Sequence, residues 1–416
     1  VTKTLYDNYG SFEANITTLL TSPTNNTRNR VTSILTYPTG IVSETNYETG
    51  IFYNYDIHGN VDQMVQSVSN SILDSQTGYT LKRVNYDYDL ISGNVNKVTY
   101  QNNQPDQFIH KYNYDADNRI VSVETSNNNI VWEKDATYEY YDHGPLARVI
   151  LGDKKVQGVD YAYTLQGWLK NVNSENLASE NKDMGVDGNY VSKDAFGYSL
   201  SYFDNDYAAR HLGANQANSV SANTAFQGVQ LYNGNINRMI TSVRNTSEDV
   251  LPTQVNLYRY DQLNRIFSMN SFSATENTSG VISHQTSYSS SYSYDKNGNL
   301  QKLNRTAPKV GFALPQDMDK LDYKYSLGTN KLTHVNDDLI LSSQFTVDVD
   351  NQIVNNYTYD AIGQLKSDVA EGITNINWRV DGKVKSIIKA NDQIVFFYDG
   401  LGNRIAKKSN NSPSQG

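Results

Sequence analysis

Six aspartates recur in similar surroundings along the chain, and they are the carboxylates that could do chemistry as a set. They are Asp56, Asp115, Asp261, Asp295, Asp360 and Asp399. Paired carboxylates can divide the acid and base roles of a hydrolysis between them. Each of the six, however, stands three residues before a glycine or an asparagine, as expected for the first residue of a tight turn, whose carboxylate accepts main-chain N–H groups. We therefore interpret them as structural and predict no catalytic residue among them.

The histidines offer the other common acid–base group, but the sequence scatters them. They are His58, His110, His143, His211, His284 and His334. The chain has no His-x-x-x-His pair, no Gly-x-Ser-x-Gly nucleophile motif and no Gly-Lys-Ser/Thr phosphate loop. His58 and His143 fall in predicted turns, where a solvated side chain explains them. We expect no enzyme activity and no cofactor, although a site built from distant residues is an alternative that one sequence leaves open.

Two acidic stretches carry the oxygen ligands that calcium prefers. Asp204-Asn205-Asp206 and Asp348-Val349-Asp350-Asn351 combine carboxylate and amide oxygens. Neither stretch completes the spacing of a calcium-binding loop. We therefore interpret both as loop acids that face water, and predict no metal site.

The element that must position the repeated aspartates is a β-hairpin, written most fully at residues 292–303. Tyr292 and Tyr294 are two residues apart, so they point to one face of a strand. Asp295 then opens a tight turn, and Gly298 stands where a type I turn followed by a bulge requires positive φ. The return strand begins directly afterwards.

The hairpin pattern recurs through the chain. Four further copies of standard length are Tyr53/Tyr55/Asp56/Gly59, Tyr112/Tyr114/Asp115/Asn118, Tyr258/Tyr260/Asp261/Asn264 and Tyr357/Tyr359/Asp360/Gly363. Looser copies are Tyr161/Tyr163/Gly167, Trp378/Gly382 and Tyr138/Tyr140/Gly144, and we assign an extra turn residue to Tyr86/Tyr88/Asp89/Gly93, Tyr323/Tyr325/Asn330 and Tyr398/Asp399/Gly402. Eleven units, roughly 20 to 35 residues apart, indicate a repeat array in which each unit stacks on its neighbours.

The turn position is the most informative column of the repeat. In units of standard length it holds only glycine or asparagine, the residues that adopt a left-handed backbone most cheaply. An arginine follows the turn in three units, as Arg119, Arg265 and Arg404. We expect each arginine to lie over a neighbouring tyrosine or to pair with a turn aspartate.

Composition narrows the class of protein and its partners. The 416 residues include 32 Tyr, 12 Phe and 3 Trp, which suits a thin sheet that keeps tyrosine hydroxyls hydrogen-bonded. Hydrophobic residues make up 38% and the mean hydropathy is −0.61, typical of a polar, soluble chain. The net charge is −9 without a basic block, so nucleic acid and membrane insertion are poor expectations. Cysteine is absent, which excludes disulfides. We interpret the chain, which begins at Val1, as a piece of a longer protein.

We predict five segments along the chain. They are irregular lead-in strands at 1–50, repeat hairpins at 51–172, an irregular insert at 173–230 with a strand at 196–203, repeat hairpins at 231–408 and a polar tail at 409–416. Residues 6–10 match the Tyr-Asp-x-x-Gly core once, and 37–40 are a plausible turn. Residues 208–227 could hold the only helix, and Asn233-Gly234 predicts a type I′ turn.

The motif Tyr-x-Tyr-Asp-x-x-Gly-Asn-Leu-x-x-Leu resembles the YD repeat of the RHS family, which includes the teneurins and the B and C components of insecticidal toxin complexes. The resemblance covers residues 51–408 apart from the insert. Residues 196–203 with 232–236 are similar to RHS proteins of Bacteroidota. The resemblance implies an all-β fold of repeated antiparallel hairpins that form a long spiralling sheet, a hollow shell or part of one.

The resemblance also implies a function. Many members enclose a C-terminal toxin or effector, and some release it with aspartates of a core region. None of the eight prolines here follows an aspartate, so no Asp-Pro-x-Gly motif is present and that cleavage activity is not carried over. We expect a secreted or cell-surface shell whose partners are an enclosed C-terminal cargo and bacterial secretion machinery. The alternative is an adhesion module that binds glycan or protein through its outer face, its tyrosine ladder or the insert.

Overall fold

The computed structural model describes residues 1–24, 26–37, 43–69, 81–173, 175, 177, 191–207, 223–247, 249–276, 282–308, 311, 312, 314–338, 349, 351–390 and 392–409. Its regular elements are 26 β-strands, one short α-helix (α1, Ile16–Leu19) and two 3-10 helices, Gly10–Asn15 and Thr224–Phe226. The first twenty strands belong to one 20-stranded sheet and the last six to another. The predicted all-β fold of repeated antiparallel hairpins is confirmed.

The chain divides into two compact units, which are described separately. Unit 1 consists of Val1–Ala136 and Glu371–Gly416, and unit 2 of Thr137–Ala370. Strand β9 (Glu133–Tyr140) contains the point of division. The five-segment division predicted from the sequence stays a prediction.

Unit 1 is built from strands that each pair antiparallel with the next one along their segment of the chain. They are β1 (Thr2–Tyr6), β2 (Val31–Thr36), β3 (Thr49–Tyr55), β4 (Val61–Val68), β5 (Leu81–Tyr88), β6 (Val95–Tyr100), β7 (Phe108–Tyr114), β8 (Ile120–Ser126), β23 (Ile373–Trp378), β24 (Val384–Lys389), β25 (Asp392–Tyr398) and β26 (Arg404–Ser409).

The core of unit 1 lies where the N-terminal helices cover the first strands. Phe12 and Leu20 come from the helical segment and pack with Leu35, Phe52 and Val65 of β2, β3 and β4. Four of these five side chains are fully buried, all except that of Phe12. Burying a large apolar side chain contributes about 1.5 to 3 kcal/mol. The helical segment therefore gives these strands a core that the hairpins alone lack.

Within each of the two sheets, the strands of unit 2 follow the same consecutive antiparallel pairing. Its strands are β10 (Leu146–Leu151), β11 (Gln157–Tyr163), β12 (Leu169–Val172), β13 (Phe196–Ser201), β14 (Arg238–Val243), β15 (Thr253–Tyr260), β16 (Ile266–Glu276), β17 (Ile282–Tyr294), β18 (Leu300–Ala307), β19 (Gln316–Tyr325), β20 (Leu332–Asp337), β21 (Tyr357–Tyr359) and β22 (Leu365–Asp368). A small core forms where Phe226 covers Ile240, Val255 and Ala274.

Several local expectations differ from the structure. In the part of the chain that the structure describes, the α-helix is α1, which was not predicted. A helix was predicted at 208–227, and residues 208–222 lie outside the described part. Residues 38–40 of the turn predicted at 37–40 also lie outside it. Strand β13 ends at Ser201, two residues before the predicted end. Gly234 has φ 86° but Asn233 is not left-handed, so the turn is not type I′, which needs positive φ at both residues.

Candidate functional site

The repeated turn has one geometry, which the turn at Asp295 shows in full. The Asp295 N–H donates to the Asn299 carbonyl at 2.9 Å, and the Gly298 N–H donates to the Asp295 carbonyl at 3.2 Å. Oδ1 of Asp295 accepts the N–H groups of Asn297 and Asn299, both at 2.8 Å. Gly298 closes the turn with φ 90°. The carboxylate is thus an acceptor for the main chain of its own turn.

The other predicted turn residues are placed in the same way. In each turn Oδ1 of the aspartate accepts the N–H four residues on, at 2.8 to 3.0 Å: Asp56, Asp115, Asp261, Asp360 and Asp399. The residue three positions on is left-handed in each case: Gly59 (95°), Asn118 (62°), Asn264 (62°), Gly363 (92°) and Gly402 (84°). The Asp399 turn therefore has standard length, and the extra residue assigned to it from the sequence is wrong.

Hydrogen bonding lowers the pKa of three of these aspartates, Asp115, Asp261 and Asp295. The main-chain N–H of Arg119 and that of Arg265 are the main causes that lower the pKa of Asp115 and Asp261, respectively. For Asp295 the main cause that lowers the pKa is the side-chain amide of Asn299. A carboxylate with a lowered pKa stays ionised and has no proton to donate at neutral pH. The geometry suits a turn anchor and does not suit a general acid.

Nine tyrosines at or next to the end of a strand each link their hairpin to the preceding one. Tyr294 is opposite Leu300 at a bulge, and its hydroxyl donates to the Ile266 carbonyl at 2.7 Å. Ile266 is the first residue of the return strand in the preceding hairpin. The same bond, at 2.6 to 2.9 Å, recurs among the described residues in Tyr55–Val31, Tyr88–Val61, Tyr114–Val95, Tyr202–Leu169, Tyr260–Ile236, Tyr325–Leu300, Tyr359–Leu332 and Tyr398–Val384.

A cation often covers the same tyrosine ring. Arg265 pairs with its own turn aspartate, Asp261, at 2.7 Å, and its guanidinium carbon lies 4.6 Å from the centre of the Tyr294 ring. Such contacts contribute about 0.5 to 1 kcal/mol at exposed sites. Arg119 pairs with its turn aspartate at 2.8 Å, whereas Arg404 lies over the Phe396 ring. The expected role fits Arg119 and Arg265, whereas the ring under Arg404 is a phenylalanine.

Turns of other composition keep the main-chain bonds of the repeat. Thr164, Tyr141 and Arg379 take the aspartate's place, and each N–H donates to the carbonyl four residues on at 2.8 to 2.9 Å. The turn after Tyr325 is longer, and its left-handed residue is Gly328 (φ 72°). Asn330, which was predicted to hold that position, is not left-handed. The main-chain hydrogen bonds are therefore kept in repeats that lack the aspartate.

One repeat unit was missed, because a long insertion splits its turn. The Asp7 N–H donates to the Arg30 carbonyl at 3.1 Å, Asn29 is left-handed at φ 58°, and Tyr6 is opposite Val31 at a bulge. Residues 8–28, including the helices, lie between the two halves of this turn. Gly10, which matched the motif, instead begins a 3-10 helix. The run Asn29-Arg30-Val31, which resembles Asn118-Arg119-Ile120, is the signal that could have revealed the unit.

The last repeated turn of unit 1 packs against its first strands. Asp399 is 4% exposed, and the Tyr398 carbonyl accepts the Thr49 hydroxyl at 3.5 Å. A Cβ on Gly400 would lie 2.6 Å from Cγ2 of Ile34, so only glycine allows this approach. Ile51, opposite Ile34 in the register, is 2% exposed. The contact joins residues of β2 and β3 to the hairpin of β25 and β26.

The remaining acidic candidates form no metal-binding cluster among the described residues. No three His, Asp or Glu side chains of those residues are placed to hold a metal ion. Asp206 instead pairs with Lys170 at 2.8 Å and accepts the Tyr202 N–H. Asp348 and Asp350 lie outside the described residues. Within the described part of the chain, no helix is long and apolar enough to cross a membrane.

The histidines contact different neighbours. His58 lies 3.8 Å from Asp56, and His143 stacks on Tyr141. His110 packs against aromatic rings, as does His284, and His334 lies 3.0 Å from the Thr333 hydroxyl. His211 lies outside the described residues. Five of the six are therefore placed, each among its own local neighbours.

Comparisons with known proteins identify the fold. No family model and no curated protein matches the sequence. A crystal structure of TcdB2-TccC3 is similar over 100% of this chain and 18% of its own, with a TM-score of 0.59 and 14% identity. A Tc holotoxin pore of Photorhabdus luminescens is similar over 99% of this chain and 18% of its own, with a TM-score of 0.53 and 13% identity. The chain therefore shares a fold with less than a fifth of each of those chains.

Proposed function

We propose that this chain is a stretch of RHS-type repeat wall, of the Bacteroidota kind, that encapsulates or carries a C-terminal toxin or effector polypeptide. The observation that carries the proposal is the linkage of successive hairpins: nine tyrosine hydroxyls, such as that of Tyr294, each bond the preceding hairpin. This linkage occurs in a fold similar to part of the TcdB2-TccC3 structure. A wall needs each hairpin to be joined to the next, and the tyrosine hydrogen bond supplies such a link.

The physical basis of the proposed function is shielding. Strands that pair on both sides hide the N–H and C=O groups that would otherwise template aggregation with an enclosed polypeptide. The turn aspartates are occupied by the main chain of their own turns, which suits a structural role in the wall. The proposed partners are the enclosed C-terminal cargo of the parent protein and bacterial secretion machinery, and the proposed location is secreted or at the cell surface.

Limited proteolysis of the full parent protein tests this proposal. We expect the polypeptide that follows the repeats to resist protease while the wall is folded, and to be digested once urea unfolds the wall. The same polypeptide expressed alone is the control for intrinsic resistance. Digestion at the same rate in the folded parent protein and in isolation would overturn encapsulation.

Adhesion is the second candidate, and the exposed turn tips are the observation that favours it. Leu165, Leu327 and Ile362 of unit 2 are 94%, 101% and 80% exposed at the tips of repeated turns. Exposed apolar side chains mark a protein-binding surface where they form a contiguous patch. Binding of the isolated chain to cells, abolished by Leu165→Ser and Leu327→Ser, would favour adhesion.

A further inference from the structure

Two turns of unit 2 carry the same reactive pair, an asparagine followed by a glycine. The pairs are Asn233-Gly234 and Asn297-Gly298, and the sequence has no other Asn-Gly pair. In both, a second asparagine and an aliphatic residue follow, at 235–236 and 299–300. Both glycines are left-handed, with φ 86° and 90°. The two pairs therefore share their sequence and the backbone conformation of the glycine, and their hydrogen bonds distinguish them.

An asparagine before a glycine can react with the main-chain nitrogen of that glycine. The nitrogen loses its proton to hydroxide and forms a bond to Cγ of the asparagine. The bond from Cγ to Nδ2 breaks, Nδ2 takes up a proton and leaves as ammonia, and a succinimide ring remains. Water then opens either carbonyl of the ring, which leaves aspartate or isoaspartate. Glycine favours ring closure because it has no Cβ to obstruct it. The reaction needs a main-chain N–H that is free to lose its proton and a Cγ held beside it.

The turn at Asn233 meets both conditions. Within the part of the chain that the structure describes, the Gly234 N–H donates no hydrogen bond. Oδ1 of Asn233 accepts the Asn235 N–H at 3.1 Å, which holds the asparagine side chain over the Gly234 peptide group. The same N–H points at the oxygen on which negative charge develops when Cγ is attacked, and such a donor stabilises that charge. Asn233 is exposed, so water reaches the site.

The turn at Asn297 has neither feature, because its aspartate uses the same main-chain groups. The Gly298 N–H donates to the Asp295 carbonyl at 3.2 Å. The Asn299 N–H, which corresponds to that of Asn235, donates to Oδ1 of Asp295 at 2.8 Å. In the other turn the position of the aspartate is held by Leu231, whose side chain has no acceptor.

We propose that Asn233 is a site of spontaneous deamidation and isomerisation, and that Asp295 protects Asn297 from the same reaction. Nδ2 of Asn233 donates to Oδ1 of Asn264, in the turn of the next hairpin, at 2.8 Å. The reaction replaces this donor with a carboxylate, and isoaspartate also lengthens the main chain by a methylene group. Of the two amide bonds to Asn264, that of Asn235, at 3.0 Å, remains. The modification therefore weakens a link between consecutive turns.

The test is peptide mapping by mass spectrometry after the full chain has been incubated in mildly alkaline buffer. We expect aspartate and isoaspartate to accumulate at Asn233 about fivefold faster than at Asn297, because breaking the hydrogen bond of the Gly298 N–H adds to the barrier there. In urea, where neither turn is folded, the two rates should be equal, which controls for the local sequence. Methylation by an isoaspartyl methyltransferase identifies the isoaspartate product.

Two variants assign the effect to these residues. Asp295→Leu gives the second turn the residue that the first turn has at Leu231, and it should raise the rate at Asn297 several times while the rate at Asn233 stays the same. A thermal melt verifies that this variant folds. Asn233→Gln should abolish conversion at that position, because the longer side chain closes the corresponding ring poorly.

Three results would overturn the proposal. The first is that Asn233 stays unmodified in the folded chain while it reacts in urea. The second is that Asn297 reacts as fast as Asn233 in the folded chain. The third is that a folded Asp295→Leu variant leaves the rate at Asn297 unchanged. Deamidation at Asn233 is independent of what the wall encloses, so its failure leaves the protease test of encapsulation unaffected.

Discussion

The hydroxyl of Tyr294 donates a hydrogen bond to the main-chain carbonyl of Ile266, at 2.7 Å, although the two residues belong to consecutive hairpins. Ile266 stands where the preceding hairpin begins its return strand, directly after the turn. The bond therefore joins the turn end of one hairpin to the turn end of the next, in addition to the bonds between strands. Stability in such an array depends mainly on contacts between neighbours.

Removing this hydroxyl should weaken unit 2. Tyr294→Phe keeps the ring and loses the bond, and we expect the free energy of unfolding to fall by about 1 kcal/mol. Urea denaturation measures the change. Tyr288→Phe is the control, because Tyr288 is 44% exposed and its hydroxyl has no hydrogen-bond partner among the described residues. Equal stability of the two variants would contradict a role for the bond.

A β-branched residue at the turn should be destabilising through the backbone alone. Gly298 has φ 90°, and a Cβ there would meet only Nη1 of Arg265, at 3.9 Å. Gly298→Val should therefore lower the free energy of unfolding by about 1 to 3 kcal/mol because of the left-handed backbone. Gly298→Asn should have a much smaller effect, since asparagine occupies this position at Asn118 and Asn264. An unchanged melting temperature in Gly298→Val would refute the assignment.

Substitution of Gly400 should be destabilising for a different reason, because the Ile34 side chain lies where a Cβ on Gly400 would be. Even alanine would place its Cβ 2.6 Å from the Ile34 side chain, so Gly400→Ala should lower stability by about 1 to 3 kcal/mol. Hydrogen exchange should rise in β2, β3, β25 and β26 together. In an Ile34→Ala background the same substitution should be milder, and a double-mutant cycle measures the coupling. A coupling energy near zero would contradict the packing of this turn against β2.

Stability should decline in acid because of the turn aspartates. The pKa of Asp295 is lowered in the folded chain, so the unfolded chain binds the proton more readily. Its contribution is present above the unfolded pKa of about 3.9 and is lost as the pH falls through the lower, folded pKa. Asp295→Asn should be less stable than the parent chain at pH 7 and should lose less stability below pH 4. The exposed Asp153→Asn is the control, and an unaltered pH profile in Asp295→Asn would refute this reading.

The sequence predicts the hairpins well because their determinants are local. From Tyr294 to Gly298 the strand end, the turn acceptor and the left-handed residue all lie within five positions, and the structure has them in that order. Where two glycine or asparagine candidates stood close together, as at Gly328 and Asn330, local pattern did not distinguish them. The all-β class followed from the repetition of this local signal.

The long-range features could not be predicted in the same way. Tyr294 and Ile266 are joined only after the hairpins stack, and Gly400 meets Ile34 across most of the chain. No spacing rule connects such residues.

The divided turn between Asp7 and Asn29 has a practical consequence. Its base keeps the bonds of an ordinary turn while residues 8–28 leave and return at the tip. The number of residues at the tip of a turn can thus change without altering the pairing of the strands at its base. This is expected when a connection begins and ends at nearby points. Tips such as that at Leu165 are therefore natural places at which to graft a foreign loop or a whole domain.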